Sequence, residues 1–369
     1  MSLPVVYLTG SPYDQGVQHG TQLRDRIAHN LSVYFDRFQR EVKLDRDAVL
    51  QYAARARDAI ERRHAEYSAT MRGIADGAGF DLLEITALNV RYEILYYQFG
   101  ALALAGSDDA HRAQPDGCTS FALLPERTAN KHLLVGQNWD WIPQVQGAVL
   151  HTTHLDGTQS VAFTEAGIAG GKIGFNDAGV ALAINGLTTT DDDWERGTTP
   201  FHVRCYDILR SRTFDQAVRI VTDEARSCST NFVIAQTPAQ VIDLEAAPDK
   251  LHMIACENGC LTHANHFVDP DGTGVIEPPS AEHAYSCFRS ERLRDLIEQY
   301  QPVAIDDLRH ILRDHEGHPY ALCCHEDPAL PTEEHYITVA AVVMDLDDRI
   351  MWISDGPPCE NAYQTVTLG

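Results

Sequence analysis

Apolar positions along the chain follow two regimes. Between residues 23 and 98 they recur at three- and four-residue intervals, and beyond Gly117 they form short runs separated by turns. Leu23, Ile27, Leu31, Tyr34 and Phe38 line one face of an amphipathic helix. Further helical runs cover about 46–64, 65–77 and 82–98. The segment 106–117 (GSDDAHRAQPDG) then breaks the period with Gly, Pro and charge, and predicts an exposed loop. Strand-length apolar runs follow at 120–124, 133–138, 149–154, 160–164, 172–175 and 180–185. Asn176-Asp177-Ala178-Gly179 has the turn chemistry of a hairpin connection between two of them. Two helices are expected at 201–212 and 213–225, then strands at 231–235 and 241–245. Helices at 288–300 and 305–314 precede a last strand pair at 336–345 and 349–354. Helices in runs and strands in runs predict an α+β layered domain and not alternating β-α units.

Composition narrows the class. The 369 residues are 44% hydrophobic and 22% charged, a globular balance with room for a large core. Lys+Arg number 29 against 53 Asp+Glu, a net charge of -24. That balance argues against nucleic acid, which needs a basic stripe, and against an anionic membrane surface. The uncharged stretch 94–107 is too short to span a bilayer. The first residues carry neither a basic n-region nor a long apolar h-region, so no secretory signal is expected. Nine cysteines without such a signal point to reduced thiols and a cytoplasmic setting.

Several common chemistries are missing. AGIAGGKI at 166–173 lacks the first Gly of a phosphate loop and carries Ile173 where Ser or Thr must reach a metal. Cys256 and Cys260 stand close together, and His315, His318, Cys323, Cys324 and His325 share one stretch. Their spacings match no standard zinc module, so a His-rich loop with incidental thiols, and no metal, is the expectation.

The chemistry concentrates at Asp116-Gly117-Cys118-Thr119-Ser120 and Gly136-Gln137-Asn138-Trp139-Asp140. Gly117 has no side chain to shield its carbonyl. A thiol at Cys118 can attack that carbonyl, and hydrolysis of the resulting thioester leaves Cys118 as a new N-terminus. Such a residue carries a nucleophile and a base together. A free α-amine titrates near 7.7–8.0 and a thiol near 8.5, so proton exchange between them is inexpensive at neutral pH. Taken alone, D-G-C-T-S also fits a buried structural cysteine after a turn.

The wider chain resembles the acyl-CoA:6-aminopenicillanate acyltransferase (isopenicillin N acyltransferase) family of self-cleaving N-terminal-nucleophile hydrolases. The resemblance begins with Gly10-Ser11-Pro12 through Gly16 and His19-Gly20, Met71-Arg72-Gly73-Ile74-Ala75 and Leu88-Asn89-Val90-Arg91. It continues through 116–120, 136–140, Thr164-Glu165-Ala166-Gly167, Gly174-Phe175-Asn176 with Ala178-Gly179-Val180, and His263-Ala264-Asn265-His266. It implies a four-layer αββα sandwich. It also implies cleavage between Gly117 and Cys118 into an α part (1–117) and a β part (118–369), associated as a heterodimer within one domain. Cys118 would be the nucleophile of cleavage and of catalysis. Asn265 falls where the family places an oxyanion-stabilising amide, and Ser120 and Asp140 where it places residues that organise the site. Trp139, Asn185 and His335 are candidate substrate-binding positions. No cofactor is implied, and the substrate would be a small-molecule amide or acyl donor. One departure is Glu334-His335, which stands where the penicillin enzyme carries a Ser-Arg pair.

Two alternatives stay open in the sequence. One is an uncleaved cysteine hydrolase whose base is His19, His263, His266 or His335. The other is a non-catalytic binding protein that kept the fold. The charge adds one asymmetry: residues 1–117 hold 13 Lys+Arg and 16 Asp+Glu, and residues 118–369 hold 16 and 37. An acidic β part suggests an amine-bearing substrate and gives a polyanion such as CoA a poor long-range field.

Overall fold

The computed structural model describes residues 2–104, 117–280 and 283–368. The loop expected over 106–117 therefore lies outside the described residues, except for Gly117. A short strand, β1 (Val5–Leu8), precedes six helices: α1 (Pro12–Gln22), α2 (Arg24–Glu41), α3 (Arg46–Arg63), α4 (Ala65–Ala78), α5 (Leu82–Asn89) and α6 (Arg91–Leu104). Six strands follow: β2 (Gly117–Leu123), β3 (Leu134–Trp141), β4 (Gly147–Thr153), β5 (Gln159–Glu165), β6 (Ile173–Asn176) and β7 (Val180–Gly186). Helices α7 (Phe201–Ile208) and α8 (Phe214–Thr222) lead to β8 (Thr230–Gln236), β9 (Gln240–Ala246), β10 (Leu251–Ile254) and β11 (Cys260–His263). A single turn, α9 (Pro270–Thr273), then α10 (His283–Glu298) and α11 (Ile305–Ile311), precede β12 (Ile337–Asp345), β13 (Ile350–Ile353) and β14 (Gln364–Thr367).

The helix expected over 82–98 is two helices, broken at Val90, which has left the helical region with φ -119 and ψ 19. Helix α1 was not expected, although its start is strongly written. Ser11 and Asp14 form a reciprocal capping box and Pro12 opens the first turn. Its packing explains two of the glycine-bearing motifs. A Cβ at Gly16 would lie 2.2 Å from the Thr70 carbonyl oxygen, and one at Gly73 would lie 2.2 Å from that of Tyr13. Helices α1 and α4 meet backbone to backbone at these glycines.

The strands form two sheets. One runs β1-β4-β5-β6-β7-β8-β9-β10, and the other β11-β2-β3-β12-β13-β14. Among the described strands, β1 pairs with β4 in parallel and the other strand pairings are antiparallel. The sheets face each other where β2 and β3 meet β7. Helices α7 and α8 cover the outer face of the first sheet, and α10 and α11 that of the second. The layers are thus α, β, β, α, the four-layer sandwich of the N-terminal-nucleophile hydrolase type. Every residue of β3 and of β7 is buried, as strands covered on both faces must be. One contiguous apolar core runs from Leu3 to Leu368, joining Ile27, Tyr34 and Leu88 to Phe163, Val342 and Met344. Among the described residues no helix is long and apolar enough to cross a membrane.

Candidate active site

Buried strands that carry Gln137, Asn138 and Asp140 must find partners for those groups, because an unpaired buried polar group costs about 1–3 kcal/mol. The partners define the site. Strand alternation sends Cys118 and Ser120 to one face of β2 and Gly117 and Thr119 to the other. Across β3, Cys118 stands opposite Trp139, Ser120 opposite Gln137, Gly117 opposite Asp140 and Thr119 opposite Asn138.

The face with Ser120 and Gln137 looks toward the first sheet. Ser120 Oγ donates to Asn185 Oδ1 at 2.7 Å, and Asn231 Nδ2 donates to the same oxygen at 3.1 Å. Gln137 Nε2 donates to the Ile184 carbonyl at 2.9 Å and its Oε1 accepts the Ile184 N–H at 2.8 Å. The sheets are thereby pinned in register beside Cys118. Trp139 is wholly buried, with the Lys172 ammonium 3.2 Å from its ring centroid and Phe163 tilted against it. The ring is packed opposite Cys118, which is equally buried.

The other face looks toward α10 and α11. The antiparallel register of β11 on β2 pairs His263 with Ser120, so two residues further on Asn265 comes alongside Cys118. The Cys118 N–H donates to Asn265 Oδ1 at 2.7 Å. Arg289 Nη2 donates to the same oxygen at 2.9 Å, and Asn265 Nδ2 donates to the Gly186 carbonyl at 3.1 Å. Two donors at one end and an acceptor at the other fix the orientation of this amide. The resemblance implies that Asn265 offers its N–H to an oxyanion. As folded, it offers its oxygen to the Cys118 nitrogen, and one of its two N–H groups donates to the Gly186 carbonyl.

Asp140 and Arg289 flank Gly117, the residue before Cys118. A Cβ on Gly117 would lie 3.2 Å from Asp140 Oδ2 and 3.7 Å from Arg289 Nη2. Arg289 Nε also donates to Thr119 Oγ1 at 3.2 Å. Asp140 Oδ1 accepts from Thr338 Oγ1 at 2.6 Å, and that hydroxyl accepts the Cys324 N–H at 2.9 Å. Asn138 Nδ2 donates to the Leu312 and Leu322 carbonyls at 2.9 and 2.7 Å. The segment after α11 therefore braces Asn138 and Asp140, the polar side chains on this face of β3.

The four histidines available on sequence are each held elsewhere. His19 Nε2 accepts the Gly167 N–H at 3.0 Å, and burial pulls its pKa down to about 4. His263 spans Glu245 Oε1 at 2.8 Å and the Ala264 carbonyl at 2.7 Å. Burial opposes its charge, yet Asp243 and Glu245 together hold its pKa up at about 9. His266 meets Ser286 Oγ at 2.8 Å, and burial with the neighbouring His263 lowers it to about 4. His335 Nε2 lies 3.0 Å from the Leu330 carbonyl, in the turn just before β12. The sequence reading passed over Arg289 and Thr338. Arg289 shares the buried stripe of α10 with Ser286, Leu293 and Ile297, and a charge on an apolar stripe was the available signal.

Beneath the site, the motif residues Arg91 and Glu165 form a buried ion cluster. Arg91 Nε lies 3.1 and 3.0 Å from the two Glu165 oxygens, and Lys172 Nζ lies 2.6 Å from Oε1. Burial alone would raise the Glu165 pKa, but Arg91 and Lys172 hold it well below the usual carboxylate range.

Two antiparallel-rich sheets packed face to face between helices give the αββα sandwich of the N-terminal-nucleophile hydrolase fold. The family described as acyl-coenzyme A:6-aminopenicillanic acid acyl-transferase matches residues 127–359, and the chain belongs to it. It is 25% identical over 322 residues to the acyl-coenzyme A:6-aminopenicillanic-acid-acyltransferase 40 kDa form of Emericella nidulans, covering 85% of this chain and 82% of that protein. Among solved structures it is similar to a mutant of the conjugated bile acid hydrolase from Clostridium perfringens, at 12% identity and a TM-score of 0.48. That match covers 68% of this chain and 92% of the other. A Caenorhabditis elegans ortholog of N-acylethanolamine-hydrolyzing acid amidase matches 68% of this chain and 100% of its own, at 12% identity and a TM-score of 0.46. At these scores the structural likenesses carry no functional argument.

Proposed function

We propose that the chain is a self-processing amide hydrolase or acyltransferase that works through a Cys118 acyl-enzyme. The observation that carries the reading is the seating of the Gly117–Cys118 peptide. Its nitrogen is held by Asn265, and its glycine is flanked by the Asp140 carboxylate and the Arg289 guanidinium. In the activating step Cys118 Sγ adds to the Gly117 carbonyl and the C–N bond breaks. The peptide nitrogen leaves as the Cys118 amine. Water then opens the thioester, leaving a Gly117 carboxylate and a free thiol. The guanidinium of Arg289 supplies positive charge beside the carbonyl as its oxygen becomes anionic, the kind of preorganised stabilisation worth about 3–4 kcal/mol in acyl transfer.

In turnover the α-amine, held by Asn265 Oδ1, takes the thiol proton and passes it to the leaving amine. Sγ bonds to the acyl carbon and the amide C–N bond breaks. Water or a second amine resolves the thioester. The acidic β part favours a small amide whose amine portion is cationic, and it disfavours CoA as acyl donor. The α and β parts share one apolar core, which supports their staying together as a heterodimer after cleavage. Each of His19, His263, His266 and His335 has a ring nitrogen engaged by a group other than the Cys118 thiol, which favours this reading over a Cys–His hydrolase.

The test is intact mass spectrometry of acid-quenched protein after mixing with a panel of small amides, with and without an amine acceptor. The reading expects an acyl adduct on the fragment that begins at Cys118, lost on mild alkaline hydroxylamine. Turnover without any adduct, or an adduct on another residue, overturns it. A new amide in the presence of the acceptor assigns transfer, and free acid alone assigns hydrolysis.

A further inference from the structure

The sequence reading expected no metal in the His-rich stretch after α11. The fold brings one more thiol to that stretch from 34 residues beyond His325. His315, Cys323, His325 and Cys359 each offer one ligand atom, and the four atoms lie within 4.8 Å of one another. His315 Nε2 and His325 Nε2 are 3.1 Å apart, and Cys323 Sγ and Cys359 Sγ are 3.5 Å apart. His325 Nε2 lies 3.5 Å from Cys323 Sγ and 3.3 Å from Cys359 Sγ.

Two features separate this cluster from an ordinary polar loop. Three groups converge on His325 Nε2, and one ring nitrogen satisfies one hydrogen bond, not three. Four of the six spacings are also close to tetrahedral edges. With Zn–S near 2.3 Å and Zn–N near 2.0–2.1 Å, the edges come to about 3.8 Å for S–S, about 3.5 Å for S–N and about 3.3 Å for N–N. Four of the six ligand pairs stand within about 0.3 Å of these values, and the two from His315 to the thiols lie within 4.8 Å. On its far side, His325 Nδ1 lies 3.8 Å from Glu360 Oε1, near the position of the carboxylate that often accompanies a metal-bound histidine but beyond hydrogen-bond reach.

The geometry points to a structural zinc site formed by His315 Nε2, Cys323 Sγ, His325 Nε2 and Cys359 Sγ. Binding releases both thiol protons, and a closed Cys2His2 set leaves no coordination position for substrate. The ion ties the segment after α11 to the chain beyond β13. That segment supplies the Leu312 and Leu322 carbonyls to Asn138, and the Cys324 N–H to the hydroxyl that holds Asp140. Zinc would thus brace the outer face of the site without touching Cys118. The proposal does not depend on the catalytic reading.

The experiment uses the full chain, kept reduced and stripped with a chelator, then titrated with zinc and with cobalt(II). About one zinc per chain is expected after desalting. Cobalt should give the d–d bands of a tetrahedral site with thiolate-to-metal charge transfer. The exposed ligands give the safest variants, Cys359→Ser and His315→Gln. Each should lower zinc affinity at least about tenfold and weaken the charge-transfer band in Cys359→Ser, with far-ultraviolet circular dichroism unchanged. The proposal is overturned if the parent chain holds no zinc at micromolar metal. It is also overturned if both variants keep the parent's stoichiometry and spectrum, which would place the metal at another cluster such as His132, Asp345 and Asp347. A Cys323–Cys359 disulfide that survives thiol reductant and excludes metal overturns it equally.

Discussion

Asn265 separates two accounts of the site. If its oxygen holds the Cys118 nitrogen, Asn265→Asp keeps the acceptor, and Asn265→Leu loses it. The aspartate loses the donor to Gly186 in either case. The bonds that distinguish the two variants are those to the Cys118 N–H and to Arg289, at 2.7 and 2.9 Å. A neutral hydrogen bond contributes about 1 kcal/mol and one to a charged group about 2 kcal/mol, so together they amount to about 3 kcal/mol. At 1.4 kcal/mol per decade, Asn265→Asp should exceed Asn265→Leu by about a hundredfold. The assays are the rate at which fragments appear in a cell-free synthesis reaction and kcat/KM of the processed protein on one amide. If the N–H instead serves an oxyanion, both variants lack the donor, and each falls by about 10²–10³. Equal loss in the two variants would refute the acceptor role.

Other expectations follow from the buried groups. Glu165→Gln leaves the Arg91 and Lys172 cations buried without their counter-charge, and should cost about 3–5 kcal/mol in chemical denaturation; a loss under about 1 kcal/mol would contradict the cluster's importance. Gly16→Ala puts a methyl 2.2 Å from the Thr70 carbonyl oxygen and should cost about 1–3 kcal/mol, with Gly73→Ala adding less than its own full effect. His263 titrates in the fold at about 9 against about 6.5 when unfolded. Its contribution is therefore fully present below about 6.5 and lost as pH rises through 9, by about 3 kcal/mol. Urea midpoints between pH 6 and 10 should show that fall and lose it in His263→Gln. At low ionic strength, amides with a cationic amine portion should have higher kcat/KM than neutral or anionic analogues, and the gap should close with salt; equal rates would remove the charge argument.

The helices were legible where a long 3.6-residue period stood alone, as from Leu23 to Phe38. The break at Val90 was not, because neither Gly nor Pro marks it. Strands β2 to β9, β12 and β13 declared themselves as apolar runs between turns. Strands β1, β10, β11 and β14 were not read from the sequence; β1 and β11 pair with strands distant in the chain, β4 and β2, so no local hairpin marks them. Cys118 was legible because Gly-Cys at a strand head has a local chemical meaning. Its neighbours Arg289 and Thr338 come from 171 and 220 residues further along the chain and carry no local mark. Several motifs that carried the resemblance concern packing: Gly16 and Gly73 seat one helix crossing, His19 caps Gly167, and Arg91 pairs with Glu165. Cys359 was invisible as a partner of the His-rich stretch because only the tertiary fold returns it there.

The central claim is that Cys118 becomes a free N-terminus by its own action. Intact mass and N-terminal sequencing of protein purified from expression of the full chain test it directly. The account predicts two co-purifying fragments, the larger beginning at Cys118, and a single uncleaved, inactive chain for Cys118→Ala. An uncleaved parent chain with full amide-cleaving activity would contradict it.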